Sequence, residues 1–167
     1  DFPKSWSFLW SPEEAEKISE EHKDQIHFLN KKGTEIVKEY LNSSKMLAYS
    51  TGTDWSPFTK GYFKTEKKFQ ITMDCDSEIK KWLYNLGIPF DKYVFVESDN
   101  SGQAIMLTWK MVIKYWEGMF WDTDLTIFDG SLNWALFYYH ESQLFFGNDN
   151  VFDQEAEFEK NLEQNKL

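Results

Sequence analysis

Apolar positions recur along this chain in two rhythms, one helical and one alternating. Between Gln25 and Leu41, the residues Ile26, Leu29, Ile36, Val37, Tyr40 and Leu41 keep roughly helical spacing. Gly33 interrupts that pattern at a cost of about 1 kcal/mol without breaking it. The spacing predicts one long helix or two shorter ones, ended by Asn42-Ser43-Ser44. Upstream, SPEEAEKI begins a helix by good local rules: Ser11 can cap, Pro12 suits the first turn, and Glu13 and Glu14 favour the positive helix end. The polar run to Lys23 reads as solvated. A compact helix is predicted over 78–86, capped by Asp76 or Ser77, with Ile79, Trp82, Leu83 and Leu86 on one side. Gly87 stops it and Pro89 prevents simple continuation. A further helix follows Thr108, with Trp109, Val112, Ile113 and Trp116 as its apolar stripe.

Alternation marks the strands. FQITM (69–73) and YVFVE (93–97) favour β structure, and QAIML is the next candidate. One helix from Gln103 to Met119 is the alternative to a strand followed by a helix; the latter is preferred. DLTIF, LNWALFYY and QLFFG, separated by short polar turns, predict a three-strand antiparallel meander. MLAYS (46–50) is a candidate short strand, and 51–68 reads as loop with short extended pieces. At the ends lie an aromatic arm, DFPKSWSFLWS, that docks Phe2, Trp6, Phe8 and Trp10, and a charged tail over 153–167. In the tail, Phe158 and Leu162 suit a short packed helix. The sum is one α+β domain over 1–167, an antiparallel sheet with helices packed mainly on one face.

Composition narrows the function classes. A chain of 167 residues can bury a sizeable core, and 8 Trp, 15 Phe and 8 Tyr supply rigid packing material. Trp109, Trp116, Trp134, Phe137 and Phe146 are the expected core aromatics. The single cysteine, Cys75, excludes an internal disulfide and a cysteine-rich zinc site, and its neighbours Asp74 and Asp76 oppose thiolate formation. A net charge of -10 repels phosphate backbones and favours a basic partner surface, so a protein partner is expected and nucleic acid is not. With no signal-peptide pattern and no apolar run of 18 or more residues, a membrane is not expected either, and a cytoplasmic location is the default reading.

The stretch WDTDLTIFDGSLNWALFYYHESQLFFGNDN, residues 121–150, concentrates the candidate chemistry. Its carboxylates Asp122, Asp124, Asp129, Glu141 and Asp149, with Asp153 just beyond, are the candidate binding groups. Trp55 and Phe58, in the polar loop segment with Tyr62 and Phe63, are candidate interface anchors; folding back over the sheet is their alternative. His140-Glu141, read as strand neighbours, face opposite ways and cannot jointly hold one metal. His140 as a general base would need reach to a reacting group. Asp122, Asp124, His140 and Asp149 could in combination hold an oxygen-preferring cation, but no EF-hand order, HExxH, GxSxG or phosphate-loop motif is present. His22 and His27, five apart, are poorly placed to share a helix face. No cofactor, metal site or catalytic set is therefore expected.

The TWKMVIKYW helix, the DLTIFDGSLNWALFYYHE strand pair and the closing FFG, within residues 93–147, resemble small bacterial toxin-immunity-type proteins. The resemblance covers about a third of the chain and carries over no functional residue. It implies a cytoplasmic, non-enzymatic protein that binds and occludes a cognate toxin, such as a basic toxin domain. The competing expectations are a small hydrolase or metal-dependent enzyme using His140 with nearby carboxylates, and a structural or regulatory domain.

Overall fold

The computed structural model describes residues 17–44, 58, 60–98 and 102–166. The aromatic arm, residues 11–16 of the expected SPEEAEKI helix, MLAYS and Trp55 lie outside the described residues; Lys17 and Ile18, at the end of SPEEAEKI, are not helical. In chain order the elements are α1 (Glu20–Lys23), β1 (Ile26–Phe28), α2 (Lys31–Ser43), β2 (Phe63–Gln70), α3 (Asp76–Tyr84), β3 (Tyr93–Ser98), β4 (Ile105–Thr108), α4 (Trp109–Lys114), α5 (Trp116–Met119), β5 (Leu125–Phe128), β6 (Trp134–Tyr139), β7 (Gln143–Asn150) and α6 (Gln154–Gln164).

The seven strands form one sheet in the order β1-β4-β3-β5-β6-β7-β2, and every pairing is antiparallel. Helices pack mainly on one face. There Ile79 and Leu83 of α3, Trp109, Met111 and Val112 of α4, and Trp116 and Met119 of α5 share a core with Val94, Leu107, Ile127, Leu136 and Phe146 of the sheet. On the opposite face, α2 lays Val37 and Leu41 against Phe128 and Ala135. Tyr40 ties α2 to the β5–β6 turn by donating its hydroxyl proton to the Gly130 carbonyl at 2.8 Å. Trp109, Trp116, Trp134, Phe137 and Phe146 are all buried, as their spacing implies.

β5, β6 and β7 form the expected antiparallel meander, in register Thr126↔Phe137↔Phe145. Asp129 to Leu132 is the β5–β6 turn, closed by the Leu132 N–H donating to the Asp129 carbonyl at 3.1 Å. The two sheet edges are blunted differently: β1 is only 3 residues long, whereas β2 displays Lys64, Lys67 and Lys68. Gly147 is required by close packing, because a Cβ there would fall into the Phe63 ring.

Several local readings are corrected. The run Gln25–Leu41 is not helical throughout. Ile26 and Phe28 pair with Leu107 and Ile105 as an edge strand, and Asn30 then caps α2 by accepting from the Gly33 N–H at 2.9 Å. Helical spacing and a three-residue strand cannot be distinguished where so few apolar positions are involved. Residues 63–68 are strand rather than loop, held by pairing to Phe145, Phe146 and their neighbours despite an almost wholly polar sequence. Beyond Gln70 the strand ends, so Ile71 to Met73 are not part of it. Neither Asp76 nor Ser77 caps α3. Cys75 occupies the cap position without a side-chain bond, and the Asp76 carboxylate instead accepts from Lys80 and the Trp116 indole. Thr108 sits at the α4 cap, but its hydroxyl donates to Gln25. The tail forms α6, yet Phe158 and Leu162 stand exposed rather than packed. Among the described residues, no helix is long and apolar enough to cross a membrane.

Candidate functional site

Antiparallel pairing decides which of the six carboxylates meet. Asp124 precedes β5 and Asp129 follows it, so they sit at opposite ends of that strand, about 17 Å apart at ~3.3 Å per residue. Glu141, in the β6–β7 turn, falls at the Asp124 end with Asp122; Asp149 and Asp153 fall at the Asp129 end. The acidic set is therefore two rims and not one face. His140-Glu141 lies in the turn after β6 rather than in a strand, so strand alternation does not govern it.

The two rims also differ in what their carboxylates do. Asp124 is buried, and one of its oxygens accepts both the His140 backbone N–H and the His140 ring Nδ1–H, each at 2.7 Å. A carboxylate only accepts, so this bond assigns the ring proton to Nδ1 and leaves Nε2 facing away from Asp124. Asp129 is buried too, accepting from the Ser131 N–H and hydroxyl with the Lys92 ammonium at 3.6 Å. Burial alone would raise the Asp129 carboxyl; the Ser131 bonds, Trp134 and Lys92 outweigh it and hold the group below its usual range. Asp153 caps α6 through the Glu155 and Ala156 N–H groups, and Asp149 occupies the left-handed region with φ 59°. Asp124 and Asp129 thus build turns. Of the acidic residues, Asp122 and Glu141 are the exposed pair at the Asp124 end.

Trp121, next to Asp122 in the chain, is 54% exposed. Its position is fixed through the backbone: the Tyr138 hydroxyl donates to the Trp121 carbonyl at 2.6 Å. The His140 ring rests edge-on against Tyr139, with centroids 4.4 Å apart. Tyr138 and Tyr139 register the local field. Burial raises both phenols above their ordinary value; Asp124 and Asp122 push Tyr138 further, against opposing bonds from Ser142, and Glu141 and Asp124 push Tyr139. The corner thus combines an exposed indole, a fixed imidazole and negative potential.

Asp124 and His140 are also the orienting and proton-accepting halves of a hydrolytic arrangement. Among the described residues, no serine or cysteine is hydrogen-bonded to His140, and no three His, Cys, Asp or Glu side chains gather in a metal-holding group. A hollow of about 480 Å³ opens elsewhere, over β2 and β7, lined by Phe58, Glu66, Lys68, Gln143 and Phe145 among others. Phe58 packs on Phe63, Phe137 and Phe145, the fold-back placement, while Tyr62 and Phe63 are buried. Trp121 carries no periodic signal, because it falls between a helix and a strand; its only mark is an aromatic beside Asp122. No protein-family model matches this chain, and no curated protein or solved structure matches it either.

Proposed function

We propose that this chain is a non-enzymatic binding protein that presents the Trp121 corner to a basic protein surface. The observation that carries this reading is the exposed Trp121, next to Asp122 in the chain and on the sheet rim that also carries Glu141, where Tyr138 bonds the Trp121 carbonyl and Asp124 bonds the β6–β7 turn. Large, rigid aromatic side chains anchor interfaces at little entropic cost, and carboxylates around them select and steer a basic partner. The toxin-immunity resemblance gives the idea a biological form: a bacterial, cytoplasmic protein occluding a basic toxin domain. If that toxin were a nuclease, Asp122 and Glu141 would take the places of substrate phosphates.

Capture from native extract tests the reading, using the intact protein and the Trp121→Ala/Glu141→Lys variant in parallel. A basic protein retained by the first and lost from the second supports it; equal retention, or no retained protein, overturns it. A hydrolytic reading rests on the Asp124–His140 pair. His140→Ala would abolish turnover of a substrate under that reading, and would leave partner capture in place under the binding reading.

A further inference from the structure

We propose that α6 of one protomer docks into the β2–β7 hollow of a second copy of this chain, and that the exchange is reciprocal. This inference is independent of the Trp121 corner. It begins from a helix that the fold does not use: none of the residues of α6 is buried, and Phe158 and Leu162, one turn apart, are 63% and 51% exposed. An isolated helix of 11 residues is marginal in water, so capping by Asp153 alone does not account for it. An apolar pair on an otherwise charged helix is the pattern of helix-in-groove recognition.

Charge identifies the receiving surface. α6 carries four glutamates, Glu155, Glu157, Glu159 and Glu163, against the single Lys160. The exposed edge strand β2 carries the inverse, Lys64, Lys67 and Lys68 against the single Glu66, in a chain whose net charge is -10; Lys68 and Glu66 line the hollow itself, and Lys67 stands on the other face of the same edge. Beside β2 lies the hollow of about 480 Å³, with Phe58 and Phe145 supplying apolar lining and Lys68 over the Phe145 ring at 5.2 Å. Phe158 and Leu162 supply what such a hollow takes, and the glutamates meet the lysine-bearing edge. Among the described residues, α6 is tied to its own chain at its root, where the Val151 N–H donates to the Tyr62 carbonyl and Phe152 packs on the Tyr62 ring. Placing the helix of each protomer on the strand of its partner gives a closed two-fold pair that also covers the outer sheet edge.

Sedimentation velocity of the full chain across a concentration series, at low and high salt, tests this. The expected result is a monomer–dimer equilibrium that salt weakens. Phe158→Ser/Leu162→Ser, both at exposed positions, should weaken the dimer by roughly tenfold or more, with circular dichroism confirming the sheet. Lys64→Glu/Lys67→Glu/Lys68→Glu and Glu155→Lys/Glu159→Lys/Glu163→Lys should each be monomeric alone and dimerise when mixed, because both reciprocal contacts are then again opposite in charge. A wild-type chain that stays monomeric throughout, including one whose helix folds onto its own hollow, overturns the proposal. So does a dimer that persists in both single-charge variants, or a mixture that fails to associate.

Discussion

Asp122 and Asp124 are two positions apart, and their surroundings give opposite expectations for the same substitution. Asp124→Ala removes a buried carboxylate and leaves the part-buried His140 N–H and ring Nδ1–H without their shared acceptor, and should cost about 1–2 kcal/mol in urea unfolding. Asp122→Ala removes an exposed side chain that accepts only from neighbouring Thr123 among the described residues, and should stay within about 0.5 kcal/mol. Nothing in the one-dimensional pattern separates the two. Both are acids before a strand, and the distinction comes from where the β6–β7 turn returns. Gly147 is another such case. Gly147→Ala drives a methyl into the Phe63 ring and should destabilise by about 1–3 kcal/mol, although the sequence offers only a glycine closing an apolar run.

β3 and the β5–β6–β7 meander were legible because β-branched and aromatic residues gather in runs of strand length bounded by polar turns; β5, most of β6 and Leu144 to Gly147 of β7 are buried on both faces. The Ile79–Leu83 side of α3 and the Trp109–Val112 side of α4 were legible by their helical spacing. β2 was not legible, since Lys64 to Lys68 carry no apolar period and only the neighbouring β7 makes them a strand. β1 was absorbed into a helical pattern because three residues cannot establish a period of two. The candidate corner was half legible: its acids and His140 stood out, while Trp121 and the division into two rims required the strand pairing. One element-level consequence concerns β5. The Thr126 hydroxyl is buried, and no hydrogen-bond partner for it exists among the described residues. Thr126→Val should therefore be neutral or stabilising by about 1 kcal/mol in thermal or urea unfolding, the opposite sign to Asp124→Ala.

Across the whole molecule, stability should fall away at both ends of the pH scale. Asp76 and Asp129 are held below the usual aspartate value of 3.8 in the folded chain. The stability they contribute is present above that value and is lost as pH falls through their lower folded values. Tyr138 and Tyr139 are raised above 10.0, so their contribution is present below that value and lost as pH rises through the folded ones. Urea midpoints measured against pH should show both limbs, and Asp129→Asn should flatten the acid one. The central claim, that function resides at one corner of the sheet, is tested most directly by titrating the captured partner, under matched low salt, with two charge-reversed proteins. Asp122→Lys/Glu141→Lys alters the Trp121 corner, and Asp149→Lys/Asp153→Lys alters the opposite rim. The account predicts an affinity loss of roughly tenfold or more from the first and little change from the second; equal losses, or a loss confined to the second, would contradict it.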